Sequence, residues 1–167
     1  MFETFIASLP KVHIKRIPRS GLMVARTQGA LVATGETLTF LDSHIEVTKG
    51  WLEPLMDRIG QDAHHVVMPQ IDGIDADTFA YRVGGIDILG FSWTLGQKGL
   101  ARKRSPSEPM PSPIMAGGLF SINRQVFYDL GTYDQDMRLY GGEEMEISFR
   151  IWQCGFTLEC IPCSHVS

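Results

Sequence analysis

An apolar segment that ends in an acid and a histidine constrains the fold of this chain most. Residues 38–41 read Leu-Thr-Phe-Leu, and Asp42-Ser43-His44 follows them directly. Alternating strand-forming residues of this kind predict a short buried strand. Because open α/β sheets bind ligands outside the carboxyl ends of their strands, this Asp and His are predicted to lie at a ligand-binding edge.

A carboxylate and a neutral imidazole two residues apart form a donor pair that suits a divalent cation such as Mn²⁺, and the cation can in turn hold a diphosphate. Asp42 and His44 therefore resemble the D-x-H form of the nucleotide-sugar site in glycosyltransferases. The alternative is a strand end with a solvated Asp and a His that caps a loop. Short motifs have many chance matches, so the rest of the chain has to decide.

Length and charge exclude several classes of protein. The chain has 167 residues, enough for one domain with a real core, and its net charge is −4. The sequence pI of about 5.7 argues against a nucleic-acid partner. The only basic cluster, residues 102–104, lies in a Ser/Pro-rich stretch and is interpreted as a solvated loop. No apolar run reaches the roughly 20 residues of a membrane span, and residues 1–5 do not have the pattern of a signal peptide.

Alternating strand and helix patterns predict a single α/β domain. Strands are expected at residues 11–16, 37–41, 65–68 and 156–161, and helices at 21–34, 51–59, 123–131 and 143–154. Ser20 is expected to cap the first helix, Pro54 to lie in the first turn of the second and Asn123 to cap the third. Residues 92–113 are expected to form a long surface loop.

Three further features leave their roles open. The adjacent Gly117 and Gly118 allow either a close approach of the backbone to a ligand or a tight bend. His64 and His65 are adjacent on a predicted strand and would point to opposite faces, which argues against a shared metal. One C-x₂-C pair at residues 160–163 is weak evidence for zinc without a second pair.

Four blocks in a fixed order resemble the catalytic domain of polypeptide N-acetylgalactosaminyltransferases. The resemblance covers almost the whole chain, and the fourth block is the most specific. The blocks are Arg19-Ser20-Gly21-Leu22, residues 40–55 with Asp42-Ser43-His44, Met115-Ala116-Gly117-Gly118-Leu119-Phe120, and residues 140–155, which begin Tyr140-Gly141-Gly142-Glu143-Glu144.

This resemblance implies a GT-A fold, which is a Rossmann-like mixed sheet flanked by helices. It also implies transfer of GalNAc from UDP-GalNAc to Ser or Thr of polypeptides, with Mn²⁺ and retention of the anomeric configuration. By the same resemblance Asp42 and His44 are metal ligands, Ser43 lies near the nucleotide, and Arg19 contacts UDP. From the sequence alone, a surface charge at a helix start is the favoured interpretation of Arg19.

The third and fourth blocks are implied to hold the sugar. Ala116, Gly117 and Gly118 match the segment that lies against GalNAc. The family has W-G-G-E-N where this chain has residues 140–144, so Tyr140 and Glu143 are implied to bind substrate, and Glu143 and Glu144 are the candidate catalytic residues. A helix dipole alone would also favour an acid at position 143. The family has no obvious protein nucleophile, and the leaving diphosphate is thought to help deprotonate the acceptor hydroxyl.

The chain departs from the family pattern at several positions. Tyr140 replaces Trp, Glu144 replaces Asn, Val24 replaces a common Arg, and Phe156 replaces a common Gly. A carboxylate only accepts hydrogen bonds, whereas an amide also donates them. His165 matches a position next to the family's third metal ligand, and it is not expected to be that ligand.

The resemblance also sets expectations about extent. Residues 1–167 are expected to be a partial GT-A domain, truncated at both ends, without a lectin domain. Cys154 and Cys163 are expected to have disulfide partners outside the chain. Longer relatives imply the Golgi lumen, and no signal or anchor is expected within residues 1–167. The alternatives are an inactive truncated homologue or pseudoenzyme that acts as a binding module, and a GT-A transferase with another donor.

Overall fold

The computed structural model describes residues 2–86, 88–100, 107–137 and 139–167. Five helices and eight strands occur in these ranges. They are α1 Phe2–Ala7, α2 Leu22–Val32, β1 Thr37–Phe40, α3 Glu53–Gln61, β2 His65–Ile74, β3 Tyr81–Ile86, β4 Leu89–Phe91, β5 Gln97–Gly99, β6 Met110–Pro111, β7 Phe120–Asn123, α4 Arg124–Asp129, α5 Glu143–Gln153 and β8 Thr157–Val166.

The main sheet is mixed. Its strand order is β1-β7-β2-β8-β6, with β3 added on β2, while β4 and β5 form a separate pair. Strands β1 and β2 both run antiparallel to β7, and β2 runs parallel to β8. The carboxyl ends of β1, β2 and β8 therefore share one edge of the sheet, and β7 begins at that edge. We call it the carboxyl edge.

Helices cover the sheet with apolar side chains. An aromatic cluster forms the largest part of the core, with the rings of Phe40 and Phe120 stacked at 4.9 Å and Phe127 and Tyr133 packed around them. A second cluster joins Leu55 of α3 to strands β2 and β8. Burial of each such side chain contributes about 1.5–3 kcal/mol, which fixes the helices against the sheet.

Most predicted elements are confirmed, with altered ends. Helices α2, α3, α4 and α5 and strands β1, β2 and β8 all occur where patterns predicted them, although β2 runs on to Ile74 and β8 to Val166. Pro54 lies in the first turn of α3, and Asn123 caps α4 by accepting from the Gln125 and Val126 amides.

Four expectations about local structure need correction or extension. Residues 11–16 do not form a strand, and the helix α1 before them was not predicted. Ser20 does not cap α2, because its hydroxyl donates to the Pro18 carbonyl and Gly21 occupies the cap position. Within residues 92–113 the structure contains β5 and β6. Strands β3, β4 and β7 were also not predicted.

Two expectations from the sequence concern a basic surface cluster and membrane-spanning segments. The basic cluster at residues 102–104 lies outside the described residues. Across the described ranges, no helix has the length and apolar character needed to cross a membrane.

Candidate functional site

Strand register brings two predicted motifs together at the carboxyl edge. Phe40 pairs with Phe120 at the end of β1 and the start of β7. Asp42 follows the first strand by two residues, and Gly118 precedes the second by two. The antiparallel pairing therefore delivers the acid and the glycine to neighbouring positions just beyond the sheet, although they are 76 residues apart in the chain.

Arg26 of α2 joins these two motifs physically. Its Nη2 donates to Asp42 Oδ1 at 2.8 Å, and its Nη1 donates to the Tyr133 hydroxyl at 3.2 Å. Only 8% of the Arg26 side chain is exposed. A guanidinium held between a carboxylate and a phenol in this way is orientationally fixed, because its donors lie in one rigid plane.

Glycine is required at the two positions before β7 for different physical reasons. At Gly118, which has φ +70°, an added Cβ would lie 2.1 Å from Arg26 Nη1, so a side chain there would displace the guanidinium. At Gly117, φ is +56° but an added Cβ would meet nothing within 4 Å. Gly118 therefore makes room for Arg26, while Gly117 meets a backbone requirement beside open space.

The Asp42 and His44 pair fits part of a divalent-cation site. Arg26 occupies only one carboxylate oxygen, and Oδ2 has no partner within the described part of the chain. The Asp42 side chain is 34% exposed, and His44 is exposed. No group of three or more His, Cys, Asp or Glu side chains among the described residues could hold a metal. The two donors suit Mn²⁺ chemically, and the remaining ligands would have to come from a bound diphosphate or from other groups.

The first and fourth blocks also meet. The Leu22 amide at the start of α2 donates to the Leu139 carbonyl at 3.0 Å. Gly21, at φ +88°, lies so close to Leu139 that an added Cβ would come within 2.9 Å of its backbone nitrogen. Arg19 and Tyr140, on either side of this contact, are exposed, Tyr140 at 80%.

Glu143 is the buried acid of the fourth block. Its side chain lies at the start of α5, and Oε2 accepts the Gly141 amide at 2.8 Å. Burial raises the pKa of the nearby Tyr133 to about 12, with Arg26 lowering it and the Glu143 and Asp42 carboxylates raising it further. Tyr133 thus lies within electrostatic reach of both predicted acids and stays a neutral phenol at physiological pH.

Glu144 faces a different environment from its neighbour. It is only partly buried, and its Oε1 accepts from Gln97 Nε2 of β5 at 2.7 Å. It borders a groove of about 440 Å³ between the β4–β5 pair and α5. The apolar part of the lining comes from Leu95, Met137, Met145 and Phe149.

His165 is not brought to Asp42 and His44. Its Nδ1 lies 2.7 Å from Oδ2 of the buried Asp72, which belongs to β2. Cys154 and Cys163 are exposed free thiols, whereas Cys160 is buried.

Sequence reasoning missed Arg26 and Tyr133. A signal for Arg26 existed: the inward face of α2 is marked by Met23, Thr27 and Ala30, and Arg26 follows Met23 by three residues, which puts it on that face. A charged residue on a buried helical face needs a partner. Tyr133 carried no comparable signal, because buried tyrosines are common in aromatic cores.

Comparison with known proteins agrees with this geometry. The sequence profile of glycosyl transferase family 2 matches residues 1–127, and the profile described as the N-terminal domain of galactosyltransferase matches residues 100–167. The chain is 51% identical to polypeptide N-acetylgalactosaminyltransferase 5 of Caenorhabditis elegans and 47% identical to polypeptide N-acetylgalactosaminyltransferase 4 of Mus musculus, over 93% and 98% of its length. These matches confirm the resemblance found in the four blocks.

A solved structure gives the same result for the fold. The crystal structure of GalNAc-T7 with UDP, GalNAc and Mn²⁺ matches 92% of the chain with a TM-score of 0.84 and 38% identity. The predicted GT-A fold is thereby confirmed. The chain covers 31% of that structure, and 27% and 30% of the worm and mouse relatives, so it spans about a third or less of their length.

Proposed function

The chain belongs to glycosyl transferase family 2, and from this premise we propose that it is a donor-binding segment of a polypeptide N-acetylgalactosaminyltransferase. Such an enzyme transfers GalNAc from UDP-GalNAc to Ser or Thr and so begins mucin-type O-glycans. One observation carries the proposal: at the carboxyl edge, Arg26 contacts Asp42, which keeps one oxygen free, and lies directly against Gly118.

The proposed donor is UDP-GalNAc with Mn²⁺. Asp42, through Oδ2, and His44 would hold the cation, with Ser43 beside the nucleotide. A bound divalent cation supplies charge neutralisation of the departing diphosphate. The exposed Arg19 would add a guanidinium that pairs with phosphate oxygens. In support, the crystal structure of GalNAc-T7 contains UDP, GalNAc and Mn²⁺.

The sugar is proposed to lie between the segment before β7 and the start of α5. Ala116, Gly117 and Gly118 would leave room for the ring, since an added Cβ at Gly117 meets open space. Glu143 would accept hydrogen bonds from sugar hydroxyls through Oε1, because Oε2 already binds the Gly141 amide. Tyr140 is exposed and free to close over a ligand.

The polypeptide acceptor is proposed to lie along the groove beside Glu144. An extended peptide with small apolar residues suits its apolar lining, and Glu144 and Glu146 add two acidic side chains to it. The acceptor hydroxyl would lose its proton to the leaving diphosphate, so the chain's own residues act by positioning and by electrostatics. Glu143 and Glu144 are the acids proposed to shape that step.

Compartment and redox state follow from the same proposal. We place the enzyme in the Golgi lumen, where an oxidising environment allows disulfides. The exposed thiols of Cys154 and Cys163 are then available for pairing with cysteines elsewhere in a longer polypeptide.

A second candidate is a non-catalytic binding module of the same fold. The observation that favours it is the two-residue donor set, because no described cluster of three side chains could hold a metal. The exchange of Asn for Glu at position 144 adds to it, since a carboxylate cannot donate to a sugar oxygen.

Binding and transfer assays test both candidates. UDP binding is measured by calorimetry with and without Mn²⁺, and GalNAc transfer to a Thr-rich peptide is measured with labelled UDP-GalNAc. Mn²⁺-dependent binding and transfer, both lost in Asp42→Asn and kept in the control Asp75→Asn, would support the enzyme. Peptide binding without transfer would support the binding module, and a panel of other UDP-sugars tests donor choice.

A further inference from the structure

A buried carboxylate on β2 has a full set of hydrogen-bond partners. The Asp72 side chain has 0% exposure. Its Oδ1 accepts from Gln70 Nε2 at 3.0 Å and from the Gly84 amide at 2.9 Å, and its Oδ2 accepts from the Tyr81 hydroxyl at 2.9 Å and contacts His165 Nδ1 at 2.7 Å. We call these five residues the Asp72 cluster. Burial of a carboxylate is strongly unfavourable unless it is paired in this way.

The cluster lies where strand pairing is interrupted on both sides of β2. The register between β2 and β3 shifts between Ile71 and Gly73, and the register between β2 and β8 shifts between Pro69 and Gln70. Regular ladders cannot satisfy every backbone group at such bulges. Asp72 fills the gap by binding a backbone amide on the β3 side and the His165 side chain on the β8 side.

The backbone of His165 binds the segment that follows Asp42-Ser43-His44. Its backbone carbonyl accepts from the Thr48 amide at 3.3 Å and from the Thr48 hydroxyl at 2.9 Å. On either side, Glu46 and Ser167 exchange two backbone hydrogen bonds of 2.9 Å, and Val47 bridges Val166. Residues 46–48 therefore lie on the end of β8 like a short added strand, two residues after His44.

We propose that Asp72 and His165 are positioning residues that hold residues 46–48 in place and thereby fix the loop that carries Asp42, Ser43 and His44. This inference rests on the proposed function for its ligand, a UDP–Mn²⁺ complex, and on the structure alone for the loop. His165 thus acts through its backbone and Nδ1, without touching the cation or the diphosphate. Its exchange should weaken the site because the loop loses its anchor.

The physical basis is that the side chain and the backbone of His165 make separate contacts. The imidazole of His165 is tied to a rigid, buried acceptor, so rotation of the β8 end is restricted. The carbonyl of the same residue then faces Thr48 in a fixed direction. Groups that orient a metal-binding element from behind typically change affinity about 10-fold to 100-fold when removed.

The experiment uses two exchanges at position 165 in the full-length protein. His165→Leu removes the bond to Asp72, whereas His165→Asn keeps a donor the same number of bonds from the backbone as Nδ1. Amide hydrogen exchange of residues 46–48 reports the loop anchor, and UDP binding with Mn²⁺ reports the site. We expect His165→Leu to speed exchange and to weaken UDP–Mn²⁺ binding, each about 10-fold, and His165→Asn to restore both.

A matched control separates positioning from general stability. Glu159 is a buried acid on the same strand, paired with Arg58 at 2.7 Å and 3.0 Å, near the other end of β8. Glu159→Gln should lower the melting temperature and leave exchange at residues 46–48 and UDP–Mn²⁺ binding unchanged. The proposal is overturned if folded His165→Leu behaves like the wild type in either readout, or if Glu159→Gln shifts both equally.

The two proposals fail in different ways. If the wild type binds no UDP with Mn²⁺, the proposed function fails, and hydrogen exchange alone still decides whether Asp72 and His165 anchor the loop. If the wild type binds and His165→Leu speeds exchange without weakening binding, the link between anchor and site is wrong while the proposed function stands.

Discussion

Two acids at the carboxyl edge, one partly exposed and one buried, illustrate opposite environments for a carboxylate. Asp42 has one strong partner, the Arg26 guanidinium, and keeps an oxygen free and a third of its side chain exposed. Asp72 has four partners and no exposure. The difference teaches that the acid proposed to bind a ligand keeps unused hydrogen-bonding capacity, whereas the acid with an internal role has all of its capacity filled.

The charges around the two acids also differ. Asp42 faces the permanently charged Arg26 guanidinium, which binds only one of its two oxygens. Around Asp72, burial opposes ionisation, but hydrogen bonds from Gly84, Tyr81, His165 and Gln70 outweigh it and hold its pKa below the ordinary value. Asp72 is therefore held as a carboxylate by several directional donors.

The largest expected effect comes from removing the unsatisfied acid. Asp42→Ala should lower GalNAc transfer about 1000-fold, because a bound cation contributes about 4 kcal/mol of charge stabilisation. The measurement is the initial rate of labelled-sugar transfer at saturating Mn²⁺. Activity within threefold of the wild type would remove Asp42 from the site and break the comparison with Asp72.

A second prediction tests the contact between Arg26 and Gly118 by exchanging the two glycines before β7. Gly118→Ala should destabilise the protein by about 2–3 kcal/mol, because the new Cβ combines a positive φ with displacement of Arg26 from Asp42 and Tyr133. Gly117→Ala is the matched control and should cost only the backbone strain of about 1 kcal/mol. Denaturant titration measures both, and equal losses would mean that Arg26 moves aside freely.

A third prediction concerns the contribution of Asp72 to the stability of the protein at low pH. Because the pKa of Asp72 is lowered in the folded state, its contribution is complete above the unfolded value of about 4 and is lost as pH falls through the folded pKa. Asp72→Asn should therefore flatten the decline of the melting temperature below about pH 4. A decline as steep as that of the wild type would show that the cluster does not favour the ionised form.

The smallest expected effect lies at the exposed edge of the fourth block. Glu144→Asn should raise UDP-GalNAc affinity a few-fold, since an amide both donates and accepts and removes one negative charge near the diphosphate. The exchange also shortens the side chain and weakens its bond to Gln97. Calorimetry with UDP-GalNAc measures the change, and no gain in affinity would count against a role for position 144 in donor binding.

Much of the fold was predictable because local patterns agreed with tertiary packing. Helices α2 to α5 carry regular apolar faces, and β1 alternates in the way a half-buried strand requires. Strands β3 and β4 were missed because they contain glycine and are bounded by no clear alternation. Residues 11–16 alternate without forming a strand, since no partner strand lies beside them in the described structure.

The candidate site also contains residues that the sequence could name and contacts that it could not. Asp42, His44, Gly118 and Glu143 could be named in advance, because each stands in a motif with a chemical reason for its residue type. The partners of Arg26 and the role of Tyr133 could not, since they depend on contacts between residues 16 and 107 positions apart. Their assignment required the register of β1 against β7.

By itself, the sequence determined the order of helices and strands, the family and the positions of the motifs, because these depend on periodicity and on residue type. Only the tertiary structure decided which groups face each other. Arg26 lies against Gly118 and Asp42, and His165 contacts Asp72 instead of forming a three-residue cluster with the predicted metal ligands in the described part of the chain. The physical reason is that strand register and bulges, which no local pattern encodes, set distances between side chains remote in the chain.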